Sequence, residues 1–111
     1  MNLLQETLEA IAESGHASAD IVFIGSPVSG HACSWDEFTV LADFDYDDGY
    51  GAQIVSSDLV IVFADCGHLR RTEYDGSEGW EYIAPFKAPE SPKMISKLTG
   101  GTWSTLADHN P

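Results

Sequence analysis

Residues 43–51 read Asp-Phe-Asp-Tyr-Asp-Asp-Gly-Tyr-Gly, a stretch with four carboxylates, three aromatic rings and no basic residue. Aspartate and glycine both disfavour a helix interior. Unpaired carboxylates are also too costly to bury in a dry core. The stretch is therefore predicted to be a surface loop that presents dense negative charge and aromatic contact area. It indicates an acidic binding surface, but it does not name the partner.

The excess of negative charge extends beyond this stretch. The chain has 18 acidic residues and five basic ones, a formal net charge of −13 at pH 7, and all five basic residues follow residue 69. Such a charge opposes compaction and favours solubility. It repels nucleic acid and anionic membranes and attracts cationic surfaces. An incidentally acidic or halophilic protein would have this composition, but we favour a partner with a cationic site.

Length and composition predict one domain, residues 1–111. A hydrophobic content of 43% is enough for a modest core. The N-terminus lacks a basic leader, and no apolar run approaches the roughly 18 residues of a membrane span. Only Cys33 and Cys66 are present, which fits a reducing compartment. We therefore expect a cytoplasmic protein that does not enter the membrane.

The hydrophobic pattern predicts an α+β fold, an antiparallel sheet of four to six strands with two or three helices packed mainly on one face. Ser34 and Glu37 have the spacing of a capping box. Residues 21–24 are apolar on both faces, which favours a central strand or one covered by a helix. The predicted helices span residues 2–14, 35–42 and 103–109, the last capped by Thr102. The predicted strands are residues 21–24, 59–64, 68–74 and 80–83, with a turn at 75–79 and shorter candidates at 31–33, 52–55 and 94–98.

Two metal sites were considered. Asp43, Asp45 and Asp47 imitate the start of an EF-hand, but Asp48 stands where that loop needs glycine and Ile54 where it needs a bidentate acid. A calcium loop of this kind is therefore excluded.

A zinc site is the second possibility. His31 and Cys33 are two residues apart, as are Cys66 and His68, so each pair would point to one face of a strand. Two such pairs on neighbouring strands would supply the four ligands of a structural zinc site. The alternative is two free thiols and two ordinary histidines. The zinc hypothesis describes a metal-binding or structural accessory protein.

Catalysis and direct nucleic-acid binding are not predicted. Ser26 and Cys66 lie on predicted turns, but the chain lacks the motif of a nucleophile elbow and a glycine-rich phosphate loop. We expect no enzymatic activity and no cofactor. Five basic residues cannot outweigh 18 acids on a phosphate backbone. Arg70 and Arg71 are instead expected to pair with nearby carboxylates.

The same charge pattern favours imitation of DNA. Alternate residues of a strand place carboxylates about 6.6 Å apart on one face, close to the spacing of neighbouring phosphates. Asp43, Asp45 and Asp47 would have this relation if their loop were extended, and helix residues Glu6, Glu9 and Glu13 would form a second row. The predicted partner-binding residues are Asp43, Asp45, Asp47, Asp48, Glu73, Asp75, Glu78 and Glu81, with Tyr46 and Tyr50 as aromatic contacts.

Residues 49–51, 57–62 and 73–81 resemble a block that recurs in small proteins of phages and mobile elements. The resemblance covers roughly residues 20–84, although Gly79-Trp80 stands where that group often has two tryptophans. In size, acidity and lack of a catalytic motif, the chain also resembles anti-CRISPR proteins. Several acidic members of that class mimic DNA in the target-DNA groove of the type I surveillance complex. The resemblance implies a phage-encoded inhibitor of target-DNA binding.

A third hypothesis is a dimeric interaction module. In that case exposed aromatic side chains such as Trp80 would form an interface between two copies of the chain.

Overall fold

A computed structural model describes residues 1–49 and 52–110 and confirms the predicted α+β class. Within these residues, four antiparallel strands form one sheet in the order β1-β2-β3-β4. The helices are α1 (Leu3–Glu13), α2 (Trp35–Leu41) and α3 (Leu106–His109), and a 3₁₀ turn (Ser18–Asp20) precedes the first strand. The strands are β1 (Ile21–Gly25), β2 (Val60–Phe63), β3 (His68–Tyr74) and β4 (Ser77–Ile83).

The ends of the two longer helices follow from local sequence. At the start of α1, the side chain of Asn2 accepts a hydrogen bond from the amide of Gln5. The helix ends just before Gly15, which has φ +80°, a conformation that suits glycine. At the start of α2, Ser34 and Glu37 each accept a hydrogen bond from the other's amide, so the predicted capping box is confirmed.

The hydrophobic core lies between the helices and one face of the sheet. On β2, Ile61 and Phe63 are buried while the alternate residues are half-exposed. Burying a side chain of this size contributes about 1.5–3 kcal/mol. Both α1 and α2 pack on this inner face, as predicted. The core comprises Leu3, Ile11, Ile24, Phe38, Ala42, Tyr46, Val55, Ile61, Phe63 and Leu69.

Of the two alternatives predicted for residues 21–24, the central strand is wrong, whereas a strand covered by a helix agrees with the packing of α2 against β1. In the sheet order, β1 is an edge strand beside β2, and Val22 lies at a bulge with 64% of its surface exposed. The predicted strand at 31–33 is reduced to one bridge between Gly25 and Ala32. A Cβ atom at position 25 would clash with the carbonyl oxygen of His31, so this close approach requires glycine.

Two other predicted strands are wrong for a shared reason. In each, a side chain accepts the backbone hydrogen bonds that a neighbouring strand would otherwise accept. Two amide groups of residues 52–55 donate to the carboxylate of Glu78. Two amide groups of residues 94–98 donate to the side chain of Asn110.

The chain beyond the sheet forms an exposed segment, residues 84–110, here called the C-terminal arm. Its helix is shorter than predicted, because α3 begins at Leu106 after Thr105 rather than after Thr102. The turn before β4 is also shorter than predicted, since the strand begins at Ser77. The radius of gyration is 18.0 Å, whereas about 13 Å is typical of a compact domain of this length. Within the described residues, none of the helices has the length and apolar character needed to cross a membrane.

Candidate functional site

Arg71 is a buried cation at the inner face of the sheet. Strand alternation turns it inward together with Leu69, and its side chain is fully buried. Its Nη1 donates to Glu6 Oε1 at 2.7 Å, and its Nη2 donates to the hydroxyl of Tyr46 at 2.9 Å and to Glu78 Oε2 at 3.1 Å. Burial of a charge is tolerated only when it is paired in this way. We call these four residues the Arg71 cluster.

Trp80 adds a contact with Arg71 and a hydrogen bond to Thr7 of the first helix. The guanidinium carbon of Arg71 lies 4.8 Å from the centre of the Trp80 ring, within the range of a cation–π contact. The indole N–H of Trp80 donates to the hydroxyl of Thr7, which is fully buried on α1. Trp80 is therefore half-buried and bound to α1 rather than exposed as predicted. Its role in a self-interface stays a prediction.

Hydrogen bonding outweighs burial in setting the pKa of Glu78 and the pKa of Arg71, which form a buried ion pair. Burial raises the pKa of the Glu78 carboxyl, but hydrogen bonds from the amides of Ile54 and Val55 and from Arg71 outweigh this effect and lower it. Burial similarly lowers the pKa of Arg71, but hydrogen bonds to Glu6, Tyr46 and Glu78 raise it. Both groups are therefore held in their charged forms.

The acidic stretch is fixed in place by the N-terminus. The amide of Tyr46 donates to the carbonyl oxygen of Met1, and Asp45 forms an antiparallel bridge with Asn2. The backbone is thus extended here, and alternation turns Tyr46 inward to Arg71. The aspartates at alternate positions 43, 45 and 47 are exposed.

A second group of carboxylates lies beside this stretch. The amide of Glu78 donates to the carbonyl oxygen of Asp48 at 2.8 Å, which holds the stretch against the start of β4. Glu73 lies opposite Glu78 in the ladder, and Asp75 follows in the turn with φ +53°. Asp48 and Glu73 therefore both lie beside Glu78, although they are far apart in sequence. We call the following residues the acidic rim: Asp43, Asp45, Asp47, Asp48, Glu73 and Asp75.

The rim carboxylates lie at the surface. The ammonium of Met1 donates to the carbonyl oxygen of Tyr46, between Asp45 and Asp47, at 3.1 Å. Five of the six residues are exposed and Asp48 is half-buried. In the parts of the chain that the structure describes, no lysine or arginine forms a salt bridge with any of them. Their hydrogen bonds come from uncharged donors: Glu73 accepts from the amide of Gly76, and Asp43 accepts from the side chain of Asn2. The rim can therefore attract a cationic surface at several points.

Three predicted contacts do not belong to this surface. Tyr46 is 8% exposed and Glu78 is also 8% exposed, because both are committed to Arg71. Glu81 pairs with Arg70 across the outer face of the sheet at 2.9 Å. Both arginines thus pair with carboxylates, as predicted. The remaining aromatic contact, Tyr50, lies outside the described residues.

The predicted row of helical glutamates is also altered. Glu6 was expected to face solvent, but its side chain is 12% exposed and binds Arg71. Glu9 and Glu13 are exposed. Only these two remain as free acids on the outer side of α1.

The four proposed zinc ligands are not brought together. The amide of Cys33 donates to Ile24, which places it beside the start of β2, whereas Cys66 follows the end of β2. His31 contacts the hydroxyl of Ser29 through Nδ1 at 2.7 Å. Across residues 1–49 and 52–110, no cluster of three or more histidine, cysteine or acidic side chains is placed to hold a metal ion. The two pairs therefore lie at opposite ends of a strand and do not form the hypothesised site.

Ser14, His16 and Asp65 form a linear set of contacts that the sequence did not reveal. Ring nitrogens of His16 lie 3.0 Å from Ser14 Oγ and 2.8 Å from Asp65 Oδ2. The hydroxyl of Ser14 donates to the carbonyl oxygen of Ile11 at the C-terminal end of α1. That end of a helix carries partial negative charge, which disfavours an anionic intermediate. The contacts fit a link between the helix and the β2–β3 turn better than a nucleophile.

No protein family, curated protein or solved structure matches this chain. The functional argument therefore comes from the geometry of its own residues. Sequence reasoning found the rim acids but missed the importance of Arg71. The available signal was its inward position in the alternating pattern of residues 68–74, where it follows Leu69 by two residues.

Proposed function

We propose that this protein is a non-enzymatic inhibitor that occupies the cationic DNA-binding surface of another protein with its acidic rim. By the resemblance described above, it is an anti-CRISPR protein of a phage, and its partner is a type I surveillance complex in the bacterial cytoplasm. The blocked step is the binding of target DNA. The observation that supports this most is the hydrogen bond from Glu78 to Asp48, which joins residues 43–48 to the hairpin that carries Glu73 and Asp75. Among the described residues, no lysine or arginine forms a salt bridge with the acids of these two segments.

The Arg71 cluster supports the proposal because it fixes the rim before a partner is bound. Tyr46 and Glu78 hold the two acidic segments from the inside, so little conformational freedom is lost on association. Each exposed ion pair contributes about 0.2–1 kcal/mol. Several such pairs together would accelerate association and hold the complex. The interaction should weaken as salt concentration rises.

The direct test is a competition assay. Purified type I surveillance complexes would be offered a labelled target duplex with and without the protein, at two salt concentrations. We expect the protein to bind the complex and prevent duplex binding, and we expect the effect to shrink at the higher salt concentration. Binding of both protein and duplex to one complex would contradict the proposal.

Matched charge variants separate rim geometry from net charge. The rim variant combines Asp45→Lys, Glu73→Lys and Asp75→Asn, the last chosen because asparagine tolerates a positive φ. The control combines Glu9→Lys, Glu13→Lys and Asp58→Asn, which alters net charge by the same amount at exposed positions elsewhere.

We expect the rim variant to lose inhibition and the control to retain most of it. Thermal unfolding of both variants would show whether each remains folded. Equal loss in the two folded variants would mean that net charge alone is responsible, which would overturn the role of the rim.

A further inference from the structure

The C-terminal arm combines exposed apolar side chains with positive charge. It contains three of the chain's five basic residues but only two of its 18 acids. Each lysine is the sequence neighbour of a largely exposed apolar residue. The pairs are Phe86-Lys87, Lys93-Met94 and Lys97-Leu98, in which the apolar members are 91%, 90% and 76% exposed. Three such pairs within residues 86–98 make this segment a candidate interaction site.

The end of the arm is ordered by its own contacts. The side chain of Asn110 accepts from the amides of Ser96 and Lys97 and donates to the carbonyl oxygens of Lys97 and Leu106. This closes residues 96–110 into a loop. Trp103 lies within that loop with φ +65° and 96% of its surface exposed. A fixed, exposed tryptophan is the kind of side chain that anchors protein interfaces.

A surface beside α2, which we call the α2 groove, is complementary to the arm. An apolar hollow of about 260 Å³ is lined by Leu41, Phe44 and Ile54, which are 66%, 40% and 59% exposed. Leu41 also borders an adjoining hollow whose other walls include Asp36 and Glu37. Hydrogen bonds from Ser34 lower the pKa of Glu37, so this carboxylate is charged at neutral pH.

We propose that the C-terminal arm of one copy docks into the α2 groove of a second copy, with Trp103 as its apolar anchor and its lysines beside Asp36 and Glu37. The groove is apolar with an acidic border, and the arm is apolar with cationic neighbours. Charge and apolarity thus match between these two parts of the chain. The resulting homodimer does not depend on DNA mimicry.

The start of the arm favours a second copy over the same chain as the occupant. Pro85, Pro89 and Pro92 each restrict φ and favour an extended backbone, which acts as a semi-rigid spacer. The longest dimension of the structure is 52 Å, against 33 and 27 Å for the others. The arm is therefore carried outward, where it can reach another molecule.

The first measurement is the solution mass of the full chain by sedimentation equilibrium across a range of concentrations. We expect the mass to rise from 12.0 kDa toward twice that value. A mass that stays at that of one chain would overturn the proposal.

Trp103→Gly separates an interface role from a structural one. Glycine relieves the positive φ at this position, so the variant should be at least as stable as the native protein in thermal unfolding. Its dissociation constant should nevertheless rise about tenfold or more, as expected for an interface anchor. The matched control is Val28→Ser, which changes an apolar residue that is 88% exposed but lies outside the arm and groove. Unchanged dimerisation in Trp103→Gly would overturn the proposal.

Leu41→Lys tests the groove. The residue is exposed and ends α2, where a cation is tolerated, so the fold should persist. The added charge should repel the arm and abolish dimerisation. Mixing this variant with Trp103→Gly should restore partial association, because an intact arm then meets an intact groove. If two arms bound each other instead, the Leu41→Lys variant would dimerise like the native protein, and mixing it with Trp103→Gly would not restore association. Either result would overturn the proposal.

Discussion

The Arg71 cluster and the acidic rim share the acidic stretch and the β3–β4 hairpin, but their side chains lie in opposite environments. Tyr46 contacts Arg71, whereas Asp45 and Asp47 on either side of it are exposed. Glu78 binds Arg71, whereas Glu73, its partner in the ladder, faces solvent. Within the acidic stretch, a shift of one residue along the extended backbone changes an anchor into a free surface charge.

One buried cation thus holds two carboxylates inside the protein while the rim carboxylates stay at the surface. Arg71 binds Glu6 and Glu78, and the backbone of Glu78 in turn holds Asp48 beside the start of β4. Loss of the cation should therefore affect the fold first. Loss of a rim charge should affect association and leave the fold intact.

The largest effect should come from Arg71→Met. Removing the guanidinium leaves two carboxylates buried without a counter-charge, which we expect to lower the free energy of unfolding by about 3–5 kcal/mol. Arg71→Lys should be only partly tolerated, because an ammonium cannot reproduce the forked contacts to Glu6, Tyr46 and Glu78. Urea unfolding followed by circular dichroism measures both changes.

Arg70→Met is the matched control. Arg70 is the preceding residue, its side chain is 52% exposed, and its only salt bridge among the described residues is with Glu81. We expect a loss of no more than about 1 kcal/mol. Similar losses in the Arg70 and Arg71 variants would contradict the distinction between cluster and surface.

A smaller effect is expected from Glu78→Gln. The native carboxylate accepts from Arg71 and from the amides of Ile54 and Val55, whereas an amide side chain cannot accept from all three donors. The expected loss is about 1–3 kcal/mol at neutral pH. Glu73→Gln, at the opposite exposed position, should change stability by less than about 0.5 kcal/mol.

The pH dependence gives this prediction a second readout. The pKa of Glu78 is below its ordinary value of 4.5 in the folded protein. Its stabilising contribution is therefore present above that value and is lost as pH falls through the lower folded pKa. The difference between native protein and Glu78→Gln should accordingly narrow in acid. A constant difference at every pH would mean that the carboxylate charge is not responsible.

The β-meander could be predicted from sequence because its signals are local. Strands β2, β3 and β4 are joined by short turns at Asp65–Gly67 and Asp75–Gly76, and each has a recognisable apolar pattern. Antiparallel pairing of neighbours then follows from chain connectivity. The strands that were wrongly predicted had suitable residues, but their amides bind the side chains of Glu78 and Asn110.

The rim could be predicted only in part. Acidic residues at alternate positions were visible in the sequence, but their sorting depends on Arg71, which lies 65 residues from Glu6 and 25 from Tyr46. Contacts between residues this far apart in the chain leave no local pattern in the sequence. Sequence reasoning therefore assigned Tyr46 and Glu78 to the surface with their neighbours.

The smallest effect on stability is expected from Tyr46→Phe, which removes the phenol hydroxyl that contacts the Arg71 cluster beside the acidic rim. The hydroxyl of Tyr46 donates to Glu6 and accepts from Arg71, so Tyr46→Phe should cost about 0.5–1.5 kcal/mol at neutral pH. Burial is the main cause that raises the pKa of Tyr46 from 10.0 to about 12. Because the pKa of Tyr46 is higher in the folded protein, its protonated phenol contributes fully to stability at pH values below the pKa of the unfolded chain. This contribution is lost as pH rises from 10.0 through about 12. The stability advantage of native protein over Tyr46→Phe should therefore shrink across that range in urea unfolding. Tyr74→Phe, at an 85% exposed position, should show no comparable change, and an identical response of the two variants would place the Tyr46 hydroxyl at the surface.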